Sequence, residues 1–154
     1  MKKIGELTNE EIHFRGMFMS LFIDIEFLLG DNLAKSLVTD EVLSLNILEF
    51  VNPKLLLDSK ISMLINVLKK KYPKIHNDFM DDLTKLRKLG SLRNDFAHKR
   101  ISVDIKSKTL NFIVLENSCF IDNPHKFKEL EDNYEFLKHM IKRLNDMEKI
   151  IPAT

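Results

Sequence analysis

An arginine and a histidine five positions apart are the residues of this chain best suited to chemistry. Arg93 and His98 lie in the string RNDFAH, with Asn94 directly after the arginine. A guanidinium stays protonated and its planar fork holds two phosphate oxygens, whereas the imidazole of histidine exchanges protons near neutral pH. A fixed cation and a proton carrier are what the metal-free cleavage of a phosphodiester by a neighbouring hydroxyl requires.

The spacing of these three residues predicts how they face on a helix. Asn94 and His98 are four residues apart, so they share one helix face. Arg93 and His98 are about 140° apart around an ideal helix, so their side chains do not stack. Either the helix frays near His98, or a second copy of the chain completes the site across a two-fold axis.

The string resembles the R-x4–6-H motif of the HEPN superfamily, including the RN-x-x-AH strings found in HEPN-like and mannitol-repressor-like members. The resemblance implies a metal-independent endoribonuclease without a cofactor, in which a homodimer brings two motifs to one cleft. It assigns Arg93 as phosphate binder, His98 as acid and base, and Asn94 as an orienting polar residue. It further implies a toxin or defence effector that acts on RNA and is restrained by an antitoxin or inhibitory protein. Some HEPN toxins are modified on a tyrosine two residues past the histidine; Arg100 stands there, so that control is not expected.

Two other interpretations stay open at this point. One is a non-catalytic HEPN-like regulator, either a transcriptional regulator similar to mannitol-repressor-like proteins or a module that binds a partner. The other is a helical interaction domain in which His98 caps its helix and Arg93 pairs with an acidic neighbour. The five histidines show no HExxH or Cys/His spacing, and no Gly-rich phosphate loop is present, so no metal or cofactor site is predicted.

The overall charge limits how the chain can meet a nucleic acid. It has 154 residues with 24 basic and 23 acidic side chains, a net charge of +1, which is unlike a protein that coats nucleic acid. Contact with RNA must therefore be local, or the basic side chains form only a solvated face. The basic cluster consists of Lys85, Arg87, Lys88, Arg93, Lys99 and Arg100.

Composition and segment lengths predict a cytoplasmic protein without a membrane span. The single cysteine, Cys119, excludes an intramolecular disulfide, and no secretory signal is recognised at the start of the sequence. The most apolar stretch, 17–29, contains Asp24 and Glu26 and is too short to cross a bilayer.

The scarcity of chain breakers, four Gly and four Pro, predicts a mainly α fold. We expect one domain over 1–154, a HEPN-like four- to five-helix up-and-down bundle with a small β-hairpin before the last helix. A capping box at Thr8 and Glu11 begins the first helix, which continues to about Leu37. Alternating apolar residues over 101–115 predict the hairpin, and Asn123-Pro124 is predicted to begin the last helix.

The first helix carries apolar residues on a second face, among them Ile23 and Phe27. A helix of this kind is either central in the bundle or packs against a second molecule. A polar stripe on the same helix either borders a cleft or forms an ordinary solvent-exposed edge. The stripe consists of His13, Ser20, Asp24 and Asp31.

Overall fold

The computed structural model describes residues 9–38, 40–116 and 119–151, and the protein is mainly helical. A three-stranded antiparallel sheet precedes the last helix, which confirms the predicted fold class. The helices are α1 (Asn9–Leu37), α2 (Glu41–Asn46), α3 (Leu57–Lys71), α4 (Pro73–Lys88), α5 (Gly90–His98) and α6 (Phe127–Ile150). The strands are β1 (Arg100–Asp104), β2 (Thr109–Glu116) and β3 (Cys119–Lys126).

Helix α1 lies at the centre of the bundle, because it contacts α3, α5 and α6. Its core-facing side chains are spaced three or four residues apart, which is one face of an α-helix. They are fully or almost fully buried, and they are Phe18, Phe22, Ile25, Leu29 and Leu33. The predicted end of α1 at Leu37 is confirmed, whereas Thr8 lies outside the described residues.

Pairwise contacts fix the direction in which each helix runs. Helices α3 and α6 run in the same direction as α1, because residues later in α1 contact residues later in α3 and in α6. Helices α4 and α5 run in the opposite direction. The contacts that show this are Lys60 to Glu26 and Lys71 to Ser36 for α3, Phe14 to Phe127 and Asn32 to Leu144 for α6, Lys85 to Phe136 and Arg143 to Asp82 for α4, and Arg93 to Glu26 and Arg15 to Lys99 for α5.

The chain between α1 and α3 returns through short helical pieces to the level of the middle of α1, where Lys60 of α3 contacts Glu26. Asp40 caps α2 by accepting a hydrogen bond from the backbone N–H of Leu43 at 2.9 Å. A π-helical turn (Ile47–Val51) and a 3-10 turn (Asn52–Lys54) complete the return. No helix among the described residues has the length and apolar character that a membrane crossing requires.

The helical structure breaks between helices α4 and α5 directly before Gly90 and Ser91, two residues with a low helix propensity. Helix α4 ends at Lys88, and α5 begins at Gly90 after a single residue, Leu89. Helix α5 is only nine residues long and ends at His98. The motif therefore occupies a short helix of its own, directly before the first strand.

The sheet adds a third strand to the predicted hairpin. Strand β2 is central, and β3 pairs with it over its whole length, with Asn111 opposite Pro124. The prediction that Asn123-Pro124 begins the last helix is wrong, because α6 begins at Phe127. Proline is tolerated in β3 because an edge strand has one row of unpaired N–H groups. On the inner face, Phe112 is buried and meets the ring of Phe96 edge-on, at 4.9 Å between ring centroids.

The surroundings of two glycines of α1 predict opposite effects of replacing each with alanine. A Cβ at Gly30 would overlap the side-chain amide of Asn52, whereas a Cβ at Gly16 would meet no atom within 4 Å. Alanine favours a helix by about 1 kcal/mol over glycine, but overpacking costs about 1–3 kcal/mol. We expect Gly16→Ala to raise the free energy of unfolding and Gly30→Ala to lower it, as measured by urea denaturation. A stabilised Gly30→Ala variant would contradict the close approach of Asn52 to α1.

Candidate active site

Helix α5 presents the three motif residues in two different settings. Asn94 and His98 are exposed on the same helix face, as their spacing predicts. Arg93 is half-buried, with 26% of its side chain exposed, and lies to the side of that face. The helix remains regular to His98, so within one chain the arginine and the histidine do not stack.

Arg93 is held by a carboxylate of α1. Its Nε donates to Glu26 Oε1 at 2.8 Å, and the Glu26 side chain is 20% exposed. Among the described residues, the terminal nitrogens of Arg93 have no hydrogen-bond or ion-pair partner. A guanidinium has five N–H donors, so four of them remain for a ligand.

A buried lysine contacts the backbone of Glu26. Lys60 is 5% exposed, and its Nζ donates to the backbone carbonyl of Glu26 at 3.3 Å. Burial lowers the pKa of Lys60 below its ordinary value, the Glu26 carboxylate opposes that shift, and Arg93 adds to it. Glu26 is therefore contacted by two basic side chains, by Arg93 at its carboxylate and by Lys60 at its backbone carbonyl.

Arg93 and Asn94 line a cleft of about 490 Å³ between α1, the segment before α3, and α5. The charged residues that line it are Glu26, Asp58, Arg87 and Arg93, two acidic and two basic. Arg87 pairs with Asp58 at 3.2 Å and donates to Ser62 Oγ at 2.7 Å. The charges in the cleft are balanced, so a phosphate would be held by directed N–H groups more than by net positive charge.

His98 stands at the end of α5 without a partner among the described residues. His98 is the basic residue in the last turn of α5, where a positive charge is favoured, but the carbonyls of the helix end are bonded by another side chain. Arg15 of α1 takes that place: its Nη2 donates to the carbonyl of Lys99 at 2.7 Å, and its Nη1 donates to the carbonyl of Phe96. The imidazole of His98 is therefore open to solvent while the backbone beneath it is fixed.

The basic cluster of the sequence is mostly engaged within the chain. Arg87 and Arg93 pair with carboxylates as described above, Lys99 pairs with Asp95 at 2.7 Å, and Lys85 lies 4.3 Å from the ring centroid of Phe136. Lys88 and Arg100 are exposed and have no carboxylate partner among the described residues. The structure therefore does not gather the six residues into one free basic surface.

Sequence reasoning missed Arg15, Glu26 and Lys60. None of the stripe residues His13, Ser20, Asp24 and Asp31 lines the cleft, and Glu26 does. A signal was present in the spacing of α1. Phe18 and Phe22 are buried, and Arg15 and Glu26 extend their helical spacing of three or four residues by one step at each end. A charged residue in register with a core stripe needs a buried partner, which is what Arg93 and the end of α5 provide.

Comparisons with protein-family models, curated proteins and solved structures give no match to this chain. Within 9–38, 40–116 and 119–151, no three or more His, Cys, Asp or Glu side chains are grouped to hold a metal ion. The HEPN resemblance therefore depends on the motif and its helical setting.

Proposed function

We propose that this protein is a metal-independent endoribonuclease of the HEPN type, acting as a toxin or defence effector, with Arg93 and His98 in a composite dimer site. The observation that carries the proposal is the contrast between the two residues. Arg93 is fixed through Nε with its terminal N–H groups free among the described residues, and His98 is exposed and unpartnered on the face of Asn94. A fixed cation and a free proton carrier are the two groups that the reaction needs.

In the proposed reaction, His98 of one copy takes the proton of the 2′-hydroxyl, whose oxygen attacks the adjacent phosphorus. The terminal nitrogens of Arg93 stabilise the charge that grows on the phosphoryl oxygens. The bond from phosphorus to the 5′-oxygen breaks, and the imidazolium that His98 has become gives its proton to that oxygen. The products are a 2′,3′-cyclic phosphate and a 5′-hydroxyl. Asn94 orients the phosphate or the histidine from the same helix face.

An exposed apolar face supports the homodimer. Ile23 and Phe27 of α1 are 58% and 63% exposed, and Leu56 beside α3 is 77% exposed. The contact between Lys60 and Glu26 places these side chains at the same level of the bundle. Leu56 also lines the cleft, so a second copy on this face would lie next to Arg93 and Asn94. Exposed apolar surface of this kind is typical of an interaction site.

The alternative is a non-catalytic HEPN-like regulator, of transcription or of a protein partner. The balanced charge of the cleft favours it, because Glu26 and Asp58 weaken the attraction of a polyanion. Under this alternative the pair of Arg93 and Glu26 stabilises the fold and His98 is an ordinary surface residue. An antitoxin or inhibitory protein is part of the first proposal only.

Incubation of the purified protein with a short labelled RNA in excess chelator tests the proposal. We expect the wild type to cleave the strand and leave 2′,3′-cyclic phosphate ends, and the Arg93→Ala/His98→Ala double variant to leave it intact. A deoxy substitution at the cleaved nucleotide must block the reaction, because it removes the attacking hydroxyl. A folded dimer that leaves RNA intact would favour the regulator.

Mixing two inactive variants tests the composite site. If each site takes Arg93 from one copy and His98 from the other, a mixed dimer of Arg93→Ala and His98→Ala chains contains one complete site. We expect activity to return when the two variants are refolded together, and to stay absent when each is refolded alone. No return of activity in verified mixed dimers would place both residues of a site in one chain.

A further inference from the structure

We infer that one face of α1 is a clamp that positions the motif helix, with Arg15 and Glu26 as positioning residues for His98 and Arg93. The inference rests on the proposed function, since it names what holds the reacting groups of that site. Neither Arg15 nor Glu26 is assigned a part in the chemistry itself.

The two residues lie on the same face of α1. They are eleven residues apart, which is about three helical turns. Phe18 and Phe22 lie between them on that face, and both are buried. The ring of Phe18 stacks on the ring of Phe96, at 4.5 Å between centroids and 11° between planes. The face therefore consists of an apolar middle with a charged side chain at each end.

Each end of the face holds a different part of α5. Glu26 Oε1 accepts a hydrogen bond from the Nε of Arg93, in the first half of the helix, at 2.8 Å. Arg15 donates to the carbonyls of Phe96 and Lys99, which stand on either side of His98 in the chain. Because α5 runs antiparallel to α1, a single face of α1 contacts both Arg93 and the backbone around His98.

The contacts restrict orientation without occupying the reacting groups. The bond to Nε fixes the plane of the Arg93 guanidinium and leaves its terminal nitrogens for a ligand. The bonds from Arg15 satisfy carbonyls that a helix end leaves unpaired, and they fix the backbone rather than the imidazole. Positioning of this kind matters because a displacement of about 1 Å can lower a rate by on the order of 100-fold.

The test uses Arg15→Lys, which keeps the charge but has one nitrogen and cannot bridge both carbonyls, and Glu26→Ala. Glu26→Gln is the conservative variant, because its amide oxygen can still accept from Nε. Lys35→Met is the matched control, since it removes the ion pair of Lys35 with Glu148 at the other end of α1. The readouts are kcat and KM for RNA cleavage, and hydrogen exchange of the backbone amides over 90–100.

We expect Arg15→Lys and Glu26→Ala to lower kcat by on the order of 10- to 100-fold with a smaller change in KM, and to speed exchange over 90–100. Glu26→Gln should recover most of kcat, and Lys35→Met should change neither readout. Unchanged hydrogen exchange in both Arg15→Lys and Glu26→Ala would overturn the clamp. Faster exchange in these variants with an unchanged kcat would also overturn it. If the wild type itself cleaves no RNA, the proposed function fails, and the exchange data still decide whether α1 holds α5.

Discussion

His98→Ala is expected to lower the rate of RNA cleavage by about 10²–10⁴-fold, the usual contribution of general acid–base catalysis. The same change should leave the thermal midpoint of unfolding close to that of the wild type, because the side chain is exposed and has no partner among the described residues. Rate measurements under single-turnover conditions, together with a thermal unfolding curve of the same preparation, give both quantities.

His13→Ala is the matched control for that measurement. His13 is another exposed histidine, on α1, and it does not line the cleft. We expect this variant to cleave RNA at the wild-type rate. A His98→Ala protein that cleaves as fast as the control would remove His98 from the reaction, and one that unfolds at a clearly lower temperature would indicate a structural role instead.

Phe96→Ala is expected to lower the free energy of unfolding by about 3–5 kcal/mol, which is the range for truncating a buried phenylalanine. Phe96 is fully buried, stacks on Phe18 of α1 and meets Phe112 of β2 edge-on. Its loss leaves a cavity at the point where helix α1, helix α5 and the sheet meet. Since whole domains are stable by only about 5–15 kcal/mol, a large part of the stability should disappear.

Urea denaturation of Phe96→Ala beside Ile105→Ala measures this effect. Ile105 is 64% exposed, and we expect its truncation to change stability by less than about 0.5 kcal/mol, as surface substitutions usually do. Equal and small effects of the two substitutions would contradict the central position of Phe96. The motif thus contains, two positions before His98, a residue that holds the fold together.

Local patterns in the sequence were enough to predict most of the helical fold. The apolar periodicity of α1 and the alternation over 101–115 both depend on the conformation of the residues that carry them. The predicted start of α6 was wrong because it, too, was based on local sequence alone. Asn123-Pro124 has the local chemistry of a helix start, but pairing with β2, which no local pattern encodes, keeps these residues in a strand.

The candidate site shows the same division between local and distant information. The shared face of Asn94 and His98 follows from their spacing and is seen in the structure. The partners of the motif do not follow from it, because Glu26 and Arg15 are 67 to 84 residues earlier in the chain. A charge at each end of a buried stripe indicates that a partner is needed, but only the packing of α1 on α5 determines which residue it is.

These long separations have a consequence for the order in which the protein folds. Helix α1 is synthesised before the other described helices, yet it is covered by α5 and by α6, and Asn32 donates to the carbonyl of Leu144, 112 residues later. Contacts that close long loops form late, since the entropy of closure must be overcome before they contribute. A nascent chain that has not yet completed α6 therefore contains α5 and its motif, while α1, which holds that helix, still lacks the partner that covers its other side. For a protein proposed to cleave RNA, this delays the stable assembly of the site until α6 has been synthesised.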